Sequence, residues 1–183
     1  MILGERIRLR AVEQDDLERY VTWFNDPEVR KHLEMILPMS SADEEDWYQN
    51  MRKSPPAERA FAIDIRDGNG WTHIGSCSFL HVDQINSLAE IGISIGEKKQ
   101  WGKGYGTEVV RLLLKVAFET LNLNRVYLRV YEKNMRGIRT YEKAGFVLEG
   151  RLREARFSEG SYQDVLIMGV LRSEWTAGKE KRG

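Results

Sequence analysis

Seven residues, Trp101-Gly102-Lys103-Gly104-Tyr105-Gly106-Thr107, place three glycines on alternate positions directly ahead of a long amphipathic stretch. That pattern is suited to holding an anion. Glycine lets the backbone approach a ligand closely, and the first turn of the following helix presents four N–H groups that have no intrahelical partner. The helix dipole adds about half a positive charge at the same end, so a pyrophosphate can be held largely by backbone, with Lys103 as a nearby cation. The spacing narrows the ligand. A Walker loop has four residues between its first Gly and the Gly-Lys-Ser/Thr. Here five residues separate Gly96 from Gly102-Lys103, and Gly104 stands where the hydroxyl residue belongs. A dinucleotide fingerprint reads G-x-G-x-x-G with an acidic residue about twenty positions on, a pattern that Gly102-Lys103-Gly104-Tyr105-Gly106 does not follow. The loop argues against both.

A second constellation lies further along. From Asn134 as a helix N-cap to Tyr141, seven residues make about two turns, which sets both side chains along one face of a short helix. Either that face meets a ligand, or Asn134 is a plain cap and Tyr141 a core ring packed on Ile138 and Phe146. Gly137 leans toward the ligand reading. Glycine inside a helix costs about 1 kcal/mol against alanine, and a tolerated cost suggests a close approach.

Taken together, the strand Ala89-Glu90-Ile91-Gly92-Ile93-Ser94-Ile95, the W-x-x-G-x-G-like loop, a strand from Arg125 to Tyr131, Asn134 with Tyr141, and Ala144-Gly145-Phe146 resemble the GNAT superfamily of acetyl-CoA-dependent N-acetyltransferases. The opening Ile7-Arg8-Leu9-Arg10, Asp15-Asp16-Leu17 and Asn25-Asp26-Pro27 are similar to its RimJ/RimL and spermidine acetyltransferase branch. The resemblance implies acetyl-CoA as cosubstrate, no metal, and direct attack of an amine on the thioester in a ternary complex. It places the backbone of Ile93, Ser94 and Ile95 along the pantetheine arm and residues 101–107 at the pyrophosphate. It puts Asn134 against the cofactor and makes Tyr141 the acid that protonates the departing thiolate; Gly137, assigned to the cofactor from its helical cost, is a mild departure, since the family more often has alanine or serine there. Trp101 stands where the family pattern usually has Gln or Arg. Glu90, a carboxylate in an apolar strand just ahead of the thioester site, is a candidate base; the alternatives are a strand-end acid paired with Arg or Lys, and proton removal through water. The acceptor is a primary amine of a protein N-terminus, a lysine or a small molecule, with polyamines, aminosugars and aminoglycosides as alternatives. A coenzyme A binding or sensing module without turnover is the reading from another class, and Tyr141 argues against it.

Other groups carry less. His73, Cys77 and His81 fall on one face of an expected strand, but a four-residue strand step spans about 13 Å, too far for a shared metal or a nucleophile pair; a buried thiol with two rim histidines accounts for them. The run Asp43-Glu44-Glu45-Asp46, with Glu34, Trp47 and Tyr48, suits a cationic acceptor by charge and ring contact. Acids in a first helical turn also complement the dipole. The segments 33–56 and 157–163 are expected to line the acceptor.

The positioning elements follow from periodicity. Residues 6–11 alternate as a strand, and Asp15 or Asp16 caps a helix to about Asn25, stopped by Pro27. Ser41-Ala42-Asp43-Glu44 reads as a capping box for a helix ending near Pro55-Pro56. Strands are expected at Phe61 to Arg66 and Ile74 to Val82 around a turn at 67–70, then at 89–95 and 125–131. Val110, Leu113, Leu114, Ala117 and Leu121 form one helical face, a helix at 135–144 is closed by Gly145, and strands near 146–157 and 162–171 finish the domain. This order predicts an α/β (α+β) fold: a mixed, mostly antiparallel central sheet with a V-shaped splay between two strands and helices on both faces. With 183 residues, 42% of them hydrophobic, one domain is expected over 1–176, with 177–183 a flexible tail. The balance of 28 basic and 28 acidic residues gives no reason to expect nucleic acid or an anionic membrane as partner. One cysteine fits a reducing compartment, and with no apolar run of signal-peptide or membrane-span length the cytoplasm is the expected location. The oligomeric state stays open, a homodimer included.

Overall fold

The computed structural model describes residues 1–180, with side chains through Ala177. Eight strands are hydrogen-bonded in the order β1-β2-β3-β4-β5-β6-β8-β7, where β1 is Ile2–Leu3, β2 Ile7–Ala11, β3 Phe61–Asp67, β4 Gly70–Asp83, β5 Leu88–Ile95, β6 Arg125–Tyr131, β7 Val147–Ser158 and β8 Ser161–Leu171. The helices are α1 (Leu17–Asn25), α2 (Pro27–Arg30), α3 (Ser41–Lys53), α4 (Tyr105–Lys115), α5 (Met135–Ala144) and α6 (Arg172–Glu180). The sheet is mixed and mostly antiparallel, as expected; β5 and β6 pair in parallel. Their ladder runs from Leu88↔Arg125 to Glu90↔Tyr127, while β6 continues to Tyr131 against β8.

The chain divides into two compact units, Met1–Phe79 with Gly92–Val109, and Leu80–Ile91 with Val110 onward. In the first, β2 buries Ile7 and Leu9 and turns Arg8 and Arg10 to the other side. The core includes Leu17, Tyr20, Trp23, Val29, Tyr48 and Ala62, with Phe24, Met51 and Trp101 at its margin. Two expectations change here. Asp16 is not a simple helix cap. It is buried, accepts from both terminal nitrogens of Arg10 at 2.7 Å, and lies 2.8 Å from His73 Nδ1. Burial would raise its carboxyl, but the hydrogen bonds from Arg10, His73 and the Glu13 amide outweigh that and hold it well below the usual carboxylate range. His73 is therefore a buried, partnered residue and not a rim histidine; its Nε2 lies 2.9 Å from the Gly75 carbonyl, and its ring meets those of Tyr20 and Trp23 edge-on. Cys77 is buried as expected, which pushes its thiol up, and His81 is exposed.

The end of β5 is turned by β4. An extra residue in β4, Ile74, breaks the register between Ile63↔Gly75 and Asp64↔His73, and its carbonyl accepts from both Gly96 N and Glu97 N at 2.9 and 3.1 Å. Gly96 lies flat on the Trp23 indole, where any Cβ would overlap the ring. The chain thus leaves β5 at a fixed point and enters the glycine loop through a 3-10 turn at Lys98–Gln100.

In the second unit, Val110, Leu113 and Leu114 of α4 are buried as expected, and so is Ala117 just beyond it. The α pitch ends at Lys115, however, and Val116–Thr120 is a π turn, so Leu121 is only half-buried. β6 buries Val126, Leu128 and Val130. α6 was not anticipated: the expected tail starts inside it, its Trp175 ring meets Phe118 at 5.3 Å, and residues 181–183 of that tail lie outside the described residues.

Candidate active site

The glycine loop adopts the backbone that its composition calls for. Gly102 and Gly104 have φ of 76° and 87°, in the left-handed region that glycine enters without strain. α4 then begins at Tyr105, and Glu108 N donates to the Gly104 carbonyl at 3.2 Å to close its first turn. Left-handed residues ahead of a helix start are a conformation in which backbone amides can gather around an anion. Gly106 and Thr107 lie half-buried in that first turn. Trp101 does something the sequence did not suggest. Its indole Nε1 donates to the Ile95 carbonyl at 2.7 Å and its ring packs at the margin of the first unit's core, so it anchors the loop to the strand end. Lys103 Nζ is 3.0 Å from Gln100 Oε1.

A brace missed in the sequence holds this loop. Arg6, just ahead of β2, donates from its backbone N and its Nε to the two carboxylate oxygens of Glu108 at 2.7 and 2.9 Å, and from Nη1 to the Lys103 carbonyl at 3.3 Å. Its guanidinium lies 4.7 Å from the centroid of the Tyr105 ring. No local signal could have revealed a pair 102 residues apart.

In the second unit, Asn134 caps α5: its Oδ1 accepts from Gly137 N at 2.9 Å. The same side chain fills the space beside Gly137, where a Cβ would come within 2.7 Å of Asn134 Nδ2. Glycine at 137 is therefore accounted for by the cap itself, which removes the inference of a close ligand from its cost. Gly145 ends α5 at φ 106°. Tyr141 is buried, its ring 6.0 Å from that of Phe146, and burial pushes its phenol up to about 12. A phenol in that state keeps its proton throughout the neutral range. Glu90 is buried and paired: Arg129 Nε lies 2.8 Å from Oε1 and Nη2 3.5 Å from Oε2. This is the strand-end ion pair that the sequence left open. Burial, and after it the charge of Glu90, pushes Tyr127 up.

The acidic run separates into distinct roles. The capping box is Ser40 with Asp43, one residue earlier than expected: Asp43 N donates to Ser40 Oγ at 3.1 Å and Ser40 N to Asp43 Oδ2 at 2.8 Å. Shifting the box turns Glu44 inward. It is 1% exposed, its Oε1 has no hydrogen-bond partner, and burial pushes its carboxyl up to about 7. The hydroxyl of Tyr20 is likewise buried without a partner, and its ring meets those of Phe24 and Trp47 at 5.8 and 6.0 Å. Glu45 receives Gln49, and Glu34 and Asp46 are exposed. Among the described residues no cluster of His, Cys, Asp and Glu is placed to hold a metal ion, and no helix is long and apolar enough to cross a membrane.

Comparison with known proteins gives the family. The Acetyltransferase (GNAT) domain family matches residues 6–147. The chain is 32% identical over 173 residues to the spermidine N(1)-acetyltransferase of Vibrio cholerae, covering 94% of this chain and 97% of that protein. It is 31% identical over 173 residues to the uncharacterized N-acetyltransferase p20 of Bacillus licheniformis, covering 93% and 96%. The crystal structure of spermidine N-acetyltransferase from Vibrio cholerae in complex with CoA and spermine is similar with a TM-score of 0.85 at 30% identity, over 94% of this chain and 99% of that one.

Proposed function

The chain belongs to the GNAT family of acetyl-CoA-dependent N-acetyltransferases, and from that premise we propose that its acceptor is a cationic primary amine of the polyamine class. The observation that carries this reading is Glu44. A carboxyl that is 1% exposed, lacks a partner for Oε1 and is held near neutrality by burial gains most from a ligand that brings its own positive charge. Trp47, exposed beside the buried Tyr20 ring, supplies a face on which a cation and its methylene chain can rest. The named activity of the Vibrio cholerae relative supports the same class.

In this reading the amides of residues 102–107 hold the pyrophosphate of acetyl-CoA, with Lys103 adding charge, and the backbone of Ile93 and Ser94 follows the pantetheine arm. By the family resemblance, Asn134 would hydrogen-bond the cofactor and Tyr141 would be the acid for the departing thiolate. The neutral amine attacks the thioester carbon, the carbonyl electrons return, the C–S bond breaks, the Tyr141 phenol protonates the thiolate, and the surplus proton on the new amide nitrogen returns through water to the Tyr141 phenolate. The proton lost by the ammonium leaves through water, because Glu90 is engaged by Arg129. The test is thiol release from acetyl-CoA with spermidine, an aminoglycoside, an aminosugar and an N-terminal peptide. Spermidine is expected to have the highest kcat/KM, falling as salt is added; a peptide preferred by tenfold or more would move the acceptor to protein N-termini.

A further inference from the structure

The glycine loop carries a feature that an anion site should not tolerate: a carboxylate, Glu108, in the first turn of the helix whose N-terminus is to receive phosphate. Its side chain is 18% exposed, so water screens it poorly, and a negative charge there would oppose a pyrophosphate across a short distance. Arg6 answers that charge. Its Nε donates to one carboxylate oxygen and its backbone N to the other, and its Nη1 reaches the Lys103 carbonyl. That last contact fixes the direction of the peptide between Gly102 and Gly104: with the carbonyl of Lys103 held by a guanidinium, the adjoining amides are left to the anion. Stacking on Tyr105 locks the guanidinium in place. A Cβ on Gly104 would come within 3.4 Å of Arg6 Nη2, so the loop and the arginine are fitted to one another.

We propose that Arg6 is a positioning residue of the cofactor site, which cancels the Glu108 charge and orients the Lys103 carbonyl so that the loop presents amides to the pyrophosphate; this rests on the assignment of residues 101–107 to acetyl-CoA. A residue that only braced the N-terminal strand would lower stability and leave cofactor affinity unchanged in the folded protein. A charge-cancelling residue predicts a specific rescue, because removing Glu108 removes what Arg6 is needed to cancel.

The experiment is a double-mutant cycle with Arg6→Met, Glu108→Gln and both together, titrating coenzyme A by calorimetry and measuring steady-state rates. Arg6→Met should weaken coenzyme A about tenfold and raise the acetyl-CoA KM alike, with kcat at saturation changed less than twofold. Adding Glu108→Gln should recover at least half of that loss on a logarithmic scale. Unchanged affinity in folded Arg6→Met, or a double variant no better than the single one, overturns the proposal. Gly104→Val separates it from its premise: if that folded variant also binds coenzyme A as the wild type does, the loop assignment itself fails, whereas a weakened Gly104→Val beside an unaffected Arg6→Met sinks the role of Arg6 alone.

Discussion

Replacing Glu44 by glutamine should make the protein more stable at alkaline pH and leave it unchanged in acid. The carboxyl has an ordinary pKa of 4.5 and is pushed to about 7 in the folded chain by burial, with no partner for Oε1. Between those two values the unfolded chain has released the proton and the folded one has not, so folding takes up a proton and stability falls as pH rises. Below 4.5 both states are protonated and the group is silent; above about 7 its cost is constant. At about 1.4 kcal/mol per pH unit the interval amounts to about 3 kcal/mol at pH 8. Glutamine has the shape of the protonated acid and cannot ionise, so the variant avoids this cost. Urea unfolding of both proteins at pH 4.5 and pH 8 measures it: the midpoints should coincide in acid and differ by about 1 M at pH 8, given a slope of about 3 kcal/mol/M for a chain of this size. Spermidine at pH 8 should narrow the gap, since a bound cation stabilises the ionised wild type and not the amide. Equal midpoints at pH 8 would mean that Glu44 ionises freely in the folded protein, and the acceptor reading built on its isolation would fall with it.

Two further outcomes follow from the second unit. Tyr141→Phe should lower kcat about a hundredfold, the scale of one general acid, with the acetyl-CoA KM little changed; steady-state turnover with wild-type kcat would remove the phenol from the mechanism. Glu90→Gln should cost less than tenfold in kcat and leave the pH-rate profile in place, because Arg129 already engages its oxygens; a hundredfold loss together with a vanished acid limb would make Glu90 the base.

What could be read from the sequence is what local rules determine. The glycine loop, the span of α5 from its Asn134 cap to Gly145 and the strand from Arg125 to Tyr131 each depend on neighbours within a turn or two, and each lies where expected. The start of α3 shows where such rules stop. Ser40 with Asp43 and Ser41 with Glu44 both satisfy the capping-box pattern, and nothing local chooses between them. Packing chooses, and by choosing the first it sends Glu44 into the interior, where its chemistry changes from helix-start charge to a neutral buried acid. The strand argument for His73 and Cys77 met the same limit. It assumed unbroken alternation, whereas the extra residue at Ile74 interrupts the period between them and lets Asp16, from another element, claim the histidine. Cofactor recognition relies on backbone, and backbone conformation is written locally in glycine and caps. The proposed acceptor site depends instead on a side-chain charge whose state is set by burial, and partners far along the chain matter even at the loop, where Arg6 meets Glu108. The glycine loop and its conformation were therefore legible, while the residue that carries the acceptor proposal looked, in sequence, like one more acid at the start of a helix.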